Sequence, residues 1–269
     1  MKIQWVTVAV GAALMCGCAG NQSRQSEKSA EPAAVVAEQP VMNQLTDQER
    51  ADGWELLFDG QTTQGWRGAH MDRFPDHGWM VKDGELIVLA SDGSESTNGG
   101  DIVTEGVYSA FEFSVDFKIT EGANSGIKYF VTEKEKQKGS AYGLEFQILD
   151  DAKHADAKLY TTFPGSRTLG SLYDLKKSEN VRFNGVGEWN TAVVKVFPNN
   201  HVEHWLNGVK VLEYERCSDA FRKLVKGSKY ADPAYSVGGA FGEAPEGHLL
   251  LQDHGNEVAF RNIKIKRLS

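Results

Sequence analysis

Alternation with a period of two runs through this chain. Phe111, Phe113, Val115, Phe117 and Ile119 are apolar, and Glu112, Ser114, Asp116 and Lys118 fall between them. Successive side chains of an extended strand point to opposite faces, so this segment reads as a long strand with one core face. Residues 54–58 form a shorter apolar run stopped by Asp59-Gly60. Residues 79–82 and 85–89 are joined by Asp83-Gly84, and residues 201–206 and 209–214 by Asn207-Gly208. Asp-Gly and Asn-Gly supply the left-handed backbone that a two-residue hairpin loop needs, so both pairs predict antiparallel hairpins. Further strands are expected over 127–132, 142–149, 189–197, 248–252 and 258–268. The one clear helix candidate, 218–226, is opened by Ser218 or Asp219 and closed by Gly227. Thr46-Asp-Gln-Glu49 fits a capping box for one further helical turn. Many antiparallel strands with one short helix predict an all-β fold, a two-sheet antiparallel jelly-roll sandwich.

The N-terminus speaks to compartment. Lys2 precedes an apolar run over 3–15, too short to span a bilayer, which ends Leu14-Met15-Cys16-Gly17-Cys18. A Cys after Gly at that point resembles a bacterial lipobox, which implies cleavage before Cys18 and lipidation of its thiol; an ordinary signal-peptidase site near Ala19 or Gly20 is the alternative. Residues 1–17 then form a lipoprotein signal peptide. Residues 18–44, rich in Ser, Glu, Gln, Ala and Pro, form a disordered tether. Residues 45–269 form one folded domain. The expected product is exported and held to the membrane only by its lipid. With Cys16 removed and Cys18 acylated, Cys217 stands alone and no internal disulfide is available. A net charge of −8 argues against nucleic acid as a partner.

Three polar clusters interrupt the strand pattern. In the segment Tyr142-Gly-Leu-Glu-Phe-Gln-Ile-Leu, Glu145 and Gln147 share one strand face and Leu144, Phe146 and Ile148 the other. A carboxylate and an amide aimed off a sheet suit a sugar-processing groove, and equally suit a half-exposed sheet face. In the segment beginning at Gly247, His248, Leu250, Gln252 and His254 share parity, so an amide and an imidazole point the same way. Asn124, Ser125 and Gly126 read as a turn, after which Lys128 stands on the strand face as a solvated cation or as a partner for an anionic oxygen. Asp150, Asp253 and His154 read either as the ligand set of a divalent cation or as plain turn residues. No cofactor is otherwise indicated.

Several segments occur in a telling order: Gly53-Trp-Glu-Leu-Leu-Phe-Asp-Gly60 with Gly65-Trp66, Asn124-Ser-Gly-Ile127, Glu145-Phe-Gln-Ile-Leu-Asp150, Glu188-Trp-Asn190, Leu206-Asn-Gly208, and Gln252-Asp-His-Gly255 with Phe260-Arg-Asn-Ile263. Over the whole folded domain the chain resembles the 3-keto-disaccharide hydrolase family. The resemblance implies a concanavalin A-like jelly roll and exported enzymes that act on glycosides already oxidised at C3 of the sugar. A ketone at C3 acidifies the hydrogen on C2, so such a site needs a base, donors for the enolate oxygen and an acid for the leaving group. Glu145 and His254 are the expected catalytic pair. Gln147, Gln252, Lys128, Asn124 and Arg261 are the candidate substrate contacts, with a structural ion pair the competing role for Arg261. Two readings compete with this one. A non-catalytic carbohydrate-binding module would keep groove aromatics such as Trp205. A two-carboxylate glycanase would carry a second acid near Glu145, where the strand offers Gln147.

Overall fold

The computed structural model describes residues 41–133, 140–235 and 240–269. The lipidation site Cys18, the signal segment and most of the tether lie outside the described residues. Among the described residues thirteen strands follow one another: β1 (Trp54–Leu56), β2 (Trp66–Gly68), β3 (Trp79–Lys82), β4 (Glu85–Val88), β5 (Ile102–Thr104), β6 (Phe111–Ile119), β7 (Asn124–Thr132), β8 (Tyr142–Leu149), β9 (Asn190–Val196), β10 (His201–Leu206), β11 (Val209–Glu215), β12 (His248–Leu251) and β13 (Val258–Arg267). Helix α1 (Asp47–Ala51) carries the expected capping box at Thr46, and α2 (Asp219–Lys226) is capped by Ser218 and ends at Gly227.

The strands form two antiparallel sheets. One has eight strands in the order β11-β10-β9-β6-β13-β4-β3, with β1 added along β13; the other has five, in the order β2-β5-β12-β7-β8. This is the expected two-sheet sandwich. The Asp83-Gly84 hairpin forms with both residues at positive φ (52° and 78°), the geometry that closes a two-residue loop without splaying its strands.

The core lies between the sheets. The apolar side of β6 (Phe111, Phe113, Phe117, Ile119) packs against that of the smaller sheet (Ile127, Phe146, Ile148, Leu251), all at most 1 % exposed. Burial of each such side chain contributes about 1.5–3 kcal/mol, so the domain needs no disulfide; Cys217 is free. Inside this core Tyr129 donates its hydroxyl to His204 Nε2 at 2.8 Å and meets the Tyr214 hydroxyl at 2.7 Å, while His204 Nδ1 lies 3.0 Å from the Gly170 carbonyl. Burial pushes the His204 imidazole down to about 4, so it is neutral, gives its Nδ1–H to Gly170 and accepts from Tyr129. The network stitches β7 to β10 and β11.

Three expectations need correction. Asn124, Ser125 and Gly126 are not a turn but the first residues of β7, paired with Leu149, Ile148 and Gln147; the turn precedes them, at Gly122. Asn43, placed in the tether by composition, is buried and exchanges 2.7 and 2.8 Å hydrogen bonds with Asn262. Strands β2 and β5 were not expected, because each is three residues long and, unlike β1, neither sits in a longer apolar run.

Candidate active site

Strands β12, β7 and β8 lie side by side in the smaller sheet, and cross-strand neighbours share a face. Lys128 lies opposite Glu145 on one side and Leu250 on the other, and Gly126 lies opposite Gln147. Gln252 continues this alignment through its backbone N–H, which donates to the Gly126 carbonyl at 3.0 Å. The face turned away from the core therefore carries Lys128, Glu145, Gln147 and Gln252 together. It is not the half-exposed polar face that alternation suggests: these four residues are at most 5 % exposed. Residues 91–100, the loop following β8 and the segment 228–235 cover it, leaving an open polar cavity of about 90 Å³. Asn124, Glu145, Gln147, Gln252, His254 and Lys128 all line it, which unites six of the expected site residues.

Glu145 is the centre of this pocket. A Cβ at Gly126 would come within 2.2 Å of Glu145 Oε1, so only glycine lets the carboxylate lie across β7. In the orientation that serves its neighbouring acceptors, the Gln147 amide nitrogen donates to Glu145 Oε1 and to the Ser125 carbonyl, each at 3.2 Å. Burial raises the Glu145 carboxyl to about 7, with Glu95 and Asp101 adding to the rise and Lys128 and Lys229 opposing it. A carboxylate of this basicity can take a proton near neutral pH. His254 lines the same cavity; among the described residues its buried Nδ1 has no hydrogen-bond partner, and its ring meets the His154 ring edge-on at 6.0 Å between centroids.

Several pocket residues escaped sequence reasoning because they arrive on irregular segments. Glu95 reaches in from the loop before β5, where its Oε1 accepts from Gln252 Nε2 at 3.0 Å and lies 3.9 Å from Lys128 Nζ. Lys128, aided by His254 and Lys229, holds the Glu95 carboxyl below its ordinary value against the opposing effect of burial. The pocket thus does contain a second carboxylate, which position 147 had argued against. Lys229 stands among three tyrosines, its Nζ 4.4 Å from the ring centroid of Tyr173, 5.2 Å from Tyr230 and 5.7 Å from Tyr235. Desolvation pulls its ammonium below the ordinary lysine value. Its backbone is fixed by a 2.8 Å bond to Asp174, which also pairs with Arg167; Arg167 in turn binds Asp156, and Asp156 accepts from the Tyr173 hydroxyl. The one usable signal was Ser228 as a cap before Lys229-Tyr230.

Other expected residues stand elsewhere. Arg261 does not line the pocket: it lies on the larger sheet, 3.5 Å from Asp116 and 3.9 Å from the Trp189 ring, in the structural role weighed against substrate contact. His248 falls out of the pocket because β12 shifts register between His248 and Leu250; its Nδ1 faces the Gly106 carbonyl. Trp205 is not a groove aromatic, since it lies on the outer face of the larger sheet with its indole on Glu203. Asp150, Asp253 and His154 do not fit a cation site. Both oxygens of Asp150 accept backbone amides, from Gly122 and Ala152. Asp253 accepts from Asn98, Gly100 and Gly255, and His154 Nδ1 accepts from Asp156. The turn reading holds for all three. Among the described residues, His201, Glu203 and Glu213 do bring ligand-type atoms within 4.8 Å of one another, but the Lys210 ammonium already sits on both carboxylates.

With this geometry in place, comparison with known proteins is informative. The family model described as a 3-keto-alpha-glucoside-1,2-lyase-like domain matches residues 53–266. The chain belongs to this family. A 3-keto-disaccharide hydrolase of Bacteroides thetaiotaomicron is 34 % identical, the match covering 96 % of each chain. A Parabacteroides distasonis crystal structure carrying a glycosyl hydrolase designation superposes with a TM-score of 0.70 at 32 % identity, over 85 % of this chain and all of the other. A second structure from that organism, with the same designation, gives 0.58 at 25 % identity over 80 % and 99 %.

The segments that carry the family resemblance divide into two groups. Trp189 and Arg261 meet on the larger sheet, and Asn190 with Asn207 ties the β9 start to the β10–β11 turn through a 2.8 Å bond. Trp66 donates to the Leu57 carbonyl at 2.7 Å. These segments hold the sandwich together. The segments around Asn124, Glu145 and Gln252 build the pocket.

Proposed function

We propose that this protein cleaves glycosides bearing a ketone at C3 of the sugar, by removing the proton on C2. The observation that carries the reading is Glu145, a buried carboxyl raised to about 7 that faces an open cavity lined by amides, lysines and tyrosines. The 34 % identical relative named a 3-keto-disaccharide hydrolase supports the substrate class. Glu145 takes the C2 proton, and the charge moves to the C3 oxygen, where the Lys229 ammonium serves as donor. The bond from C1 to the departing oxygen breaks, and that oxygen takes a proton from His254 as general acid. Water then adds across the resulting enone, its hydroxyl at C1 and its proton at C2, so the sum is hydrolysis.

One observation favours a second reading. Glu95 and Glu145 share a cavity in which one carboxyl is held down and the other up, the division of labour of a two-carboxylate glycosidase. Incubation in deuterated water separates the two. The first reading expects cleavage of a 3-keto-disaccharide with deuterium incorporated at C2 and no cleavage of the unoxidised parent. Cleavage of the parent without C2 exchange would replace it with the second. Binding of either sugar without turnover would leave a carbohydrate-binding module.

The proposal extends to location: an exported lipoprotein anchored through Cys18, supported by the apolar run over 3–15 and Gly17-Cys18. Cys18→Ser should move the protein from the membrane to the soluble fraction, and unchanged fractionation would remove the anchor.

A further inference from the structure

Lys128 was expected to meet substrate oxygen, yet its ammonium is turned to a buried partner. Lys128 is 4 % exposed and Asp101 0 %, and Nζ lies 3.3 Å from Asp101 Oδ2 and 3.4 Å from the Ala141 carbonyl. The other Asp101 oxygen accepts from the Asp253 amide at 3.0 Å and from the Ser96 hydroxyl at 3.1 Å. Asp101 therefore joins three pieces of the site: β7 through Lys128, the end of β12 through Asp253, and the loop that carries Glu95 through Ser96. Lys128 lies directly across the strand pair from Glu145. A cation in that position, released from Asp101, would be shared between Glu95, already 3.9 Å away, and Glu145, and its pairing with Glu145 would make that carboxylate a poorer base.

We propose that Asp101 is a positioning residue: it holds the Lys128 ammonium as a fixed structural charge, so that Glu145 keeps the basicity its role requires. This inference rests on the proton-abstraction reading for its use in catalysis, but the electrostatic arrangement stands apart from it. Lys128 on β7, Glu95 on the covering loop, Asp101 before β5, Lys229 with Tyr230, and Tyr173 act on Glu145, and His254 beyond β12 faces the same cavity. Asp101 is the carboxylate nearest to Lys128 among the described residues and is wholly closed to solvent, so its charge is little screened.

The test is a titration of the Glu145 carboxyl by carbon-13 NMR in the full chain, the resonance being assigned by its loss in Glu145→Gln. Asp101→Asn removes one negative charge and frees Lys128 to turn to Glu145, so the Glu145 midpoint should fall by roughly one pH unit or more. Lys128→Met removes the cation, so the midpoint should rise by a similar amount. On the 3-keto substrate, the acid limb of kcat/KM should move down in the first variant and up in the second, with kcat reduced more than KM is raised. A purely structural role for Asp101 would lower stability and leave the midpoint where it was. If Asp101→Asn does not fold, the rise in Lys128→Met must still appear, and a midpoint that stays put in Lys128→Met overturns the inference. Opposite midpoint shifts in a protein that leaves the keto sugar intact would sustain the electrostatic arrangement and defeat the proposed function instead.

Discussion

The two sheets of this protein present outer faces built from the same residue types, and the two faces behave in opposite ways. On the larger sheet, Glu203, Glu213, Lys210, Lys195 and His201 stand in cross-strand ladders at the sheet surface; Glu213 is 51 % and Lys210 38 % exposed at the side chain, and Glu203, beneath them, 13 %. Their pairs satisfy one another, and the indole of Trp205 and the Lys210 ammonium hold Glu203 below its ordinary value despite partial burial. On the smaller sheet, Glu145 and Lys128 also face each other across a strand pair, but loops close over them and the carboxyl rises instead. An exposed ion pair changes protonation little and stabilises little; removal from water makes the same carboxyl a base. The cover, rather than the residue, makes the site.

The largest test of that contrast is chemical. Glu145→Gln should lower turnover of a 3-keto-disaccharide by about two to four orders of magnitude. Glu203→Gln on the opposite face should leave it within about twofold, as befits a surface change. Equal losses in both variants, read from product release, would end the distinction between the faces.

The second test is thermodynamic. Glu145 binds its proton more tightly folded (about 7) than at its ordinary value of 4.5. Its contribution to stability is therefore complete below pH 4.5 and is lost as pH rises through about 7. Urea unfolding should show a decline on the order of 3 kcal/mol across that window, and Glu145→Gln should flatten it. Carboxylates on the larger sheet that are held low, such as Glu203, carry the opposite sign: their contribution is present near neutrality and lost on acidification. A decline between pH 5 and 7 that persists in Glu145→Gln would place its source elsewhere.

Smaller effects sharpen the map. Lys229→Met, which removes the donor expected for the enolate oxygen, should cost roughly ten- to a hundredfold in kcat, whereas Lys195→Met beneath Trp205 should not register in the same assay. Trp205→Ala should leave activity unchanged and shift the unfolding free energy by no more than about 1 kcal/mol; a loss of sugar binding in that variant would return Trp205 to the list of groove aromatics.

Much of the architecture was legible because it is written in local chemistry. The alternation of β6, the Asp83-Gly84 and Asn207-Gly208 loops and the caps at Thr46 and Ser218 each act within a few residues, and each appears in the structure as expected. The site was legible only in part. Parity aligned Glu145 with Gln147 and Gln252 with His254, but the same rule set His248 beside them, and a register shift moved it away. Asn124 to Gly126 have turn-forming composition, yet strand pairing with β8 outweighs that preference. Asp253 looked like a metal ligand because its oxygen chemistry is visible in sequence, while the backbone amides that occupy it, from Asn98 and Gly100, are not.

By itself the sequence determined the class of fold, the strands that line the core, the pairing of an acid and amides on single strand faces, and family membership through its ordered segments. Only the tertiary structure decided which polar face would be enclosed as a pocket. That outcome depends on segments with no period of their own: the loop bearing Glu95, the turn bearing Lys229 and Tyr230, and the buried Asp101 that takes hold of Lys128. Their contacts span long stretches of chain, and the energy of a charge depends on what surrounds it rather than on its neighbours in sequence. Glu145 and Glu203 are the same residue type on the same kind of strand, but one is closed off from water beside other carboxylates while the other meets the Trp205 indole and the Lys210 ammonium at the sheet surface, and their carboxyls shift in opposite directions.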